Sequence, residues 1–125
     1  NIGLEVVYSS VLLYRWEVGD TPQKTNPYLG EQLRLLTEIS RTFGIPIIVT
    51  NQIYKDFDTK EIKMVGGTLI EYWSKTIIEI KKDFDMRKIV LRKHKFKKEG
   101  IEKEIEIKNA GIQEYKGRSF GFFRN

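Results

Sequence analysis

Residues 45–54 read IPIIVTNQIY, and this stretch decides how the chain is expected to fold. An apolar, β-branched run of the kind found in fully buried strands stops abruptly at Thr50, Asn51 and Gln52. Open α/β sheets bind ligands in the crevice at the carboxyl ends of their strands. The stretch therefore predicts a short strand over residues 47–50 and candidate ligand-binding amides at Asn51 and Gln52. The alternative is that both amides only satisfy the backbone of the following loop.

The segment before this strand has the apolar periodicity of a helix. Apolar residues recur at helical spacing at Leu29, Leu33, Leu36, Ile39 and Phe43. Asn26 can cap this helix, Pro27 suits its first turn and Gly44 ends it. Residues 17–26 are expected to form a loop. With a further strand predicted at residues 3–8, the order strand–helix–strand predicts a βαβ unit with parallel strands and a right-handed crossover.

The second half of the chain is expected to contain mainly antiparallel strands. Residues 53–65 are polar and charged and are interpreted as a mobile loop, followed by a short helix over residues 68–75. Leu69, Ile70 and Trp73 are predicted to face inward from that helix. Apolar and alternating patterns predict three strands, at residues 76–80, 88–94 and 102–108. The short connections between these strands favour antiparallel pairing.

Composition limits the class of protein. The chain has 125 residues, 40% of them hydrophobic, which fits one globular domain with a modest core. No apolar run approaches the ~20 residues that a membrane-spanning helix needs, so no membrane partner is expected. The absence of cysteine excludes disulfides and thiolate chemistry and is compatible with the cytoplasm, which is the predicted location. The abundance of isoleucine, lysine and glutamate favours a thermophilic source.

The net charge of +5 is concentrated in one part of the chain, because residues 87–98 contain basic side chains and no acidic one. The end of a predicted strand and the loop after it form a candidate phosphate-binding patch. Its members are Arg92, Lys93, His94, Lys95, Lys97 and Lys98. The alternative is the ordinary solvated surface of a lysine-rich protein. His94 can pair with a phosphate or act as a base, or it is a plain surface residue.

Two other features bear on ligand binding. Gly66 and Gly67 permit a close approach of the backbone to a ligand, or they simply join a loop to a helix. The sequence contains no GxxxxGK[ST] loop, so it lacks the usual cradle for a triphosphate. Tyr54 and Phe57 are interpreted as loop or core aromatics, with stacking on nucleic-acid bases as the alternative.

Four stretches of the sequence resemble one known family in the same order. They are VVYSSVLLYRWE (residues 6–17), LGEQLRLLTEISRTFGIPIIVTNQIY (residues 29–54), VGGTLIEYWSKTIIEI (residues 65–80) and IVLRKHKFKKEG (residues 89–100). Together they resemble the archaeal RadB proteins, recombinase paralogues related to RadA and to bacterial RecA, over about residues 4–112. The IVTNQ stretch with the following GG is shared across the recombinases, whereas YWSK and LRKHK are narrower marks of RadB.

The resemblance implies an α/β fold, the C-terminal half of a RecA-type P-loop NTPase core. Such a fold has a mostly parallel sheet flanked by helices, with antiparallel strands at its C-terminal edge. Residues 1–112 would form this half and residues 113–125 a basic-aromatic tail. The Walker A half would lie upstream of residue 1, which would explain why a strand is predicted almost at the N-terminus.

The resemblance also implies nucleotide-contacting positions. Tyr8 stands where the family has the Walker B aspartate that supports magnesium through water. A phenol does not replace that carboxylate, so no metal ligand is expected here. Ser9, Asn51 and Gln52 fall at nucleotide-binding positions, and Gln52 is the candidate sensor of the γ-phosphate.

Positions for DNA contact follow in the same way. Residues 53–65 match the DNA-binding loop of the family, and Gly66 and Gly67 after it are assigned to DNA contact as well. The family's Lys-His-Arg signature falls on three basic residues, Lys93, His94 and Lys95. Lysine in place of the final arginine keeps the charge but loses the planar, bidentate fork.

The function implied by the resemblance is that of a DNA-binding and ATP-binding accessory protein of DNA repair and homologous recombination, with weak or no ATP hydrolysis. ATP and Mg²⁺ would belong to the intact protein, and this chain alone is expected to bind neither well and to be inactive. The expected partners are DNA, preferably single-stranded, and the RadA recombinase, with self-association through an exposed strand edge. One alternative is a protein-interaction regulator of RadA without catalytic activity. Another is a metabolic enzyme whose basic patch holds a phosphorylated substrate, although no catalytic set accompanies it.

Overall fold

The computed structural model describes residues 1–8, 22–55, 57–64 and 67–117, and it divides into two compact units, Asn1–Ser74 and Lys75–Asn125. In chain order the helices and strands are β1 (Glu5–Val7), α1 (Pro22–Phe43), β2 (Ile47–Val49), β3 (Ile53–Lys55), β4 (Ile62–Met64), α2 (Gly67–Trp73), β5 (Ile77–Asp83), β6 (Met86–Lys93), β7 (Glu102–Lys108) and β8 (Gly111–Glu114).

Strand β2, which lies within the IPIIVTNQIY stretch, pairs in parallel with β1 in the first unit. Val6 faces Ile48 at the centre of the pair, and Thr50 N donates to Val7 O at 2.9 Å at its carboxyl end. Since α1 lies between the two strands in the chain, the predicted strand–helix–strand order with parallel strands is confirmed. This pairing brings the carboxyl ends of β1 and β2 to the same edge.

Helix α1 begins earlier than predicted. It starts at Pro22 and contains Pro27, whereas the sequence placed a loop over residues 17–26 and the first turn at Pro27. A proline fits the first turn of a helix because its missing N–H has no intrahelical partner there. Pro22 meets this criterion in the structure, whereas Pro27, which the sequence argument placed in the first turn, is the sixth residue of the helix. The predicted end is correct: Gly44 has a φ of 63° and Ile45 N donates to Ser40 O at 3.2 Å, as expected of a glycine-terminated helix.

The core of the first unit lies between α1 and α2. Leu29 and Leu33 are buried together with Ile70, and Leu69 and Trp73 pack against this cluster. The inward faces predicted for both helices are confirmed at these positions. The apolar stripe predicted on α1 is buried only in part, because Ile39 and Phe43 remain exposed.

Residues 53–65 do not form the predicted loop throughout. β3 and β4 pair as an antiparallel hairpin, with Ile53 opposite Met64 and Lys55 opposite Ile62. Strands of three residues, each with one lysine, are too short for their alternation to be distinguished from a loop in the sequence. Phe57, near the tip of this hairpin, is exposed.

The second unit is a four-stranded antiparallel sheet in the order β5-β6-β7-β8. The antiparallel pairing predicted for three strands is confirmed, and β8 is an additional strand that the sequence argument missed. β8 runs through the position where the tail was predicted to begin. A two-residue turn joins β5 to β6, and its first residue, Phe84, has a φ of 52° that is unusual for a bulky side chain.

The two faces of this sheet differ in character. Residues opposite each other in antiparallel strands share a face, so Ile78 lies beside Leu91 and Ile80 beside Ile89. This face displays four exposed isoleucines, at Ile78, Ile80, Ile107 and Ile112. The opposite face carries the ion pairs of Arg92 with Glu79 and of Lys88 with Glu102, whereas Lys103 pairs with Glu114 on the isoleucine face.

Candidate nucleic-acid interface

The candidate nucleotide-contacting residues fall at the carboxyl edge of β1 and β2. Tyr8 follows β1 and is exposed, and Asn51 and Gln52 follow β2. Asn51 is half-buried, with its Oδ1 atom out of contact with solvent, whereas Gln52 is exposed. Ser9 lies outside the described residues.

This edge does not fit a magnesium–triphosphate site by itself. Tyr8 offers a phenol, and Asn51 and Gln52 offer neutral amides, so none of the three supplies a charge to oppose a metal ion or a triphosphate. Within the described part of the chain no group of three or more histidine and carboxylate side chains is placed to hold a metal ion. An amide can donate to a phosphate oxygen, and that is the chemistry that Gln52 retains.

Of the two glycines assigned to DNA contact, Gly66 lies outside the described residues. Gly67 is the first residue of α2 and is half-buried. A Cβ at Gly67 would meet no atom within 4 Å, so close packing does not require a glycine there.

The basic stretch divides into a strand portion and a turn portion. Arg92 and Lys93 end β6, and the next residues form the connection to β7. On the strand, Arg92 Nε donates to Glu79 Oε2, and the side chain of Glu79 is mostly buried. Lys88 Nζ lies 3.8 Å from Glu102 Oε2 on the neighbouring strand. Two cations of the strand portion, Lys88 and Arg92, are therefore paired with carboxylates within the sheet.

The turn portion, which we call the lysine turn, comprises residues 94–98. His94 Nδ1 accepts the backbone N–H groups of Phe96 and Lys97, each at 3.0 Å. Lys95 and Lys97 are exposed. Among the described residues no carboxylate lies within 4.0 Å of the ammonium group of Lys95, Lys97 or Lys98. This turn therefore presents the charges of three exposed lysines to solvent.

The division assigns Arg92 a role that the sequence could not show. Glu79 lies 13 residues before Arg92, and only the register of β5 against β6 brings the two side chains together. Phe96 was also missed as a candidate, because aromatic residues in a lysine-rich segment have no periodicity that predicts exposure. Its exposure and its neighbours are taken up below.

Replacing Arg92 with alanine is expected to destabilise the sheet of the second unit. The substitution leaves the mostly buried carboxylate of Glu79 without its hydrogen-bond donor, and Lys81 Nζ, at 4.0 Å from Oε1, is too distant to replace it. We expect the free energy of unfolding to fall by about 1–3 kcal/mol. The measurement is a urea titration followed by the amide signals of β5 and β6 in NMR spectra.

The double variant Glu79→Gln/Arg92→Ala is the control, because removing the charge of both partners costs less than stranding one of them. Loss of DNA affinity in Arg92→Ala with unchanged stability would instead identify Arg92 as a phosphate contact.

No helix among the described residues is long and apolar enough to cross a membrane.

The sequence profile of the Rad51 family matches residues 2–115. The DNA repair and recombination protein RadB of Methanosphaera stadtmanae is 41% identical over 116 residues, covering 90% of this chain and 50% of that protein. The protein of the same name from Methanococcus maripaludis is 40% identical over 116 residues, covering 90% of this chain and 53% of that protein.

A solved structure described as the crystal structure of the RadB recombinase has a TM-score of 0.74 and 32% sequence identity to this chain. The similarity covers 93% of this chain and 53% of that one, so the chain spans about half the length of the relatives it matches. The α/β, RecA-like fold class implied by the sequence is confirmed by this likeness and by the profile match. The chain belongs to the Rad51 family, and it is similar to the RadB DNA repair and recombination proteins over about half of their length.

Proposed function

We propose that this chain contributes the DNA-binding surface of an ATP-binding accessory protein of DNA repair and homologous recombination. The observation that carries the proposal is the lysine turn, where three lysines stand together without a carboxylate partner among the described residues. Such an array attracts a phosphate backbone and releases its condensed counterions on binding. Single-stranded DNA is the proposed ligand, and the RadA recombinase is a proposed protein partner.

Nucleotide binding is proposed for a protein of the relatives' full length rather than for this chain alone. The sequence has no phosphate-binding loop, and neither Tyr8 nor Gln52 can replace the lysine of such a loop. In the intact protein Gln52 would donate its amide to the γ-phosphate, and Asn51, its neighbour in the sequence, and Ser9 would be further nucleotide contacts. ATP hydrolysis would be weak or absent, because Tyr8 does not offer the carboxylate that positions magnesium.

The test is fluorescence anisotropy of a labelled single-stranded oligonucleotide titrated with the chain across a series of salt concentrations. Three phosphate contacts predict a slope of log affinity against log salt of about −2, since each contact with a single strand contributes roughly −0.7. An affinity that does not change with salt, or no binding at all, would count against the proposal.

A second candidate function is regulation of RadA through protein contact without catalysis. The exposed isoleucines that share one face of the second unit favour it, because exposed apolar side chains grouped on one face are typical of interaction sites. Retention of RadA by the immobilised chain in the absence of nucleotide and DNA, together with no affinity for DNA, would move this candidate ahead.

A further inference from the structure

Backbone hydrogen bonds close the connection that contains the lysine turn. Gly100 N donates to Leu91 O at 2.7 Å, and Leu91 N donates to Ile101 O at 3.0 Å, so the chain is held together where it leaves β6 and where it returns. Gly100 has a φ of 85°, a left-handed conformation that glycine adopts without steric cost. These hydrogen bonds therefore fix the two ends of the segment that contains the lysine turn.

His94 organises the inside of this turn. Its Nδ1 atom accepts from two successive backbone amides, those of Phe96 and Lys97. Side chains that accept hydrogen bonds from the backbone two or three residues ahead hold a turn in one conformation. His94 thereby fixes the backbone from which Phe96 projects.

Phe96 is 84% exposed in this setting. Its ring meets the His94 ring edge-on, with the centroids 6.3 Å apart, and Lys95 Nζ lies 5.3 Å from the Phe96 centroid. The arrangement places one flat apolar ring beside the ammonium group of Lys95. Proteins that bind single-stranded nucleic acid combine these same two elements, an aromatic platform for a base and cations for the backbone.

We propose that Phe96 stacks on an unpaired base of single-stranded DNA while Lys95, Lys97 and Lys98 contact the neighbouring phosphates. His94 is a positioning residue, which acts through the backbone of the turn. This inference rests on the proposed DNA-binding function and adds the preference for unpaired bases to it. A duplex keeps its bases stacked on each other and offers Phe96 no partner, so the preference for single strands resides in this ring.

The test compares Phe96→Ala with Phe84→Ala by anisotropy on a labelled single strand and on a duplex of the same length. Phe84 is the matched control, since it is 92% exposed on another turn of the same unit. Loss of one stacked base predicts about tenfold weaker binding of the single strand by Phe96→Ala. Its affinity for the duplex and its salt slope should stay as in the wild type. Phe96→Trp should bind the single strand at least as well as the wild type, and Phe84→Ala should match the wild type throughout.

Several results would overturn the inference. If Phe96→Ala binds both DNAs as the wild type does, while the loss of the turn lysines weakens binding, Phe96 is not a stacking residue and the proposed DNA-binding function stands. Equal losses on single strand and duplex also overturn it. If the wild-type chain itself shows no salt-dependent binding, both proposals fall together.

The positioning role of His94 has its own readout. His94→Ala should accelerate hydrogen exchange at the amides of Phe96 and Lys97, and should lose the preference for single strands with an unchanged urea midpoint. His94→Asn should restore both properties, because the asparagine Oδ1 can accept from the same backbone amides. Unchanged exchange rates in His94→Ala would overturn the positioning role.

Discussion

Replacing Leu29 with alanine is expected to lower the free energy of unfolding of the first unit by about 3 kcal/mol. Leu29 is 0% exposed and belongs to the small cluster that joins α1 to α2. The substitution removes three buried carbons and leaves a cavity that Ile70 and Trp73 can fill only by moving. A cluster with so few members has little other apolar contact with which to offset the loss, so a large share of the unit's stability depends on this side chain.

Leu35→Ala is the matched control for this prediction. It is the same substitution in the same helix, but Leu35 is 44% exposed and should cost well under ~1 kcal/mol. Trp73 packs against this cluster, and in a Trp16→Phe background it is the only tryptophan of the chain, so its fluorescence during urea unfolding reports on the first unit. Equal effects of the two substitutions would show that the cluster of Leu29 does not hold the unit together.

Removing the three lysines of the turn is expected to abolish most of the affinity for DNA. In the variant Lys95→Ala/Lys97→Ala/Lys98→Ala, the loss on single strands should be on the order of 100-fold at about 50 mM salt and should vanish near 1 M salt. The slope of log affinity against log salt should become less steep by about 2, one contribution of roughly 0.7 for each phosphate contact. Stability should change little, because these side chains have no carboxylate partner among the described residues.

The control for net charge is the variant Lys82→Ala/Lys103→Ala/Lys108→Ala. It removes the same number of lysines from the same unit. Lys103 and Lys108 are paired with Glu114 and Glu106, at 3.3 Å and 3.0 Å. A loss of affinity as large as that of the turn variant would mean that DNA responds to total charge and not to the turn.

Sequence alone predicted the elements that are specified locally. The end of α1 was predicted because Gly44 and Pro46 each act within a few residues, and β2 because its apolar run is uninterrupted. The start of α1 was misplaced because the preference of proline for a first turn could apply to Pro22 or to Pro27 in the sequence, and only Pro22 lies in the first turn. β8 was missed because GIQE offers no alternation of its own and becomes a strand only by pairing with β7.

The candidate interface was predictable in composition but not in arrangement. Residues 87–98 are visibly basic in the sequence, which suffices to predict an affinity for phosphate. Arg92 pairs with Glu79 because of the register of β6 against β5. That register could not be predicted from the sequence. The role of His94 depends on the positions of the backbone amides of Phe96 and Lys97. The types of these residues do not predict that geometry.

The contacts of His94 also limit its chemistry. With Nδ1 accepting from two backbone amides, the proton of the neutral ring resides on Nε2. The ring can then meet a phosphate oxygen only as a donor, through Nε2. Neither nitrogen is left to take a proton from a substrate unless the turn opens, so the sole histidine of this chain is a poor general base wherever its turn is intact.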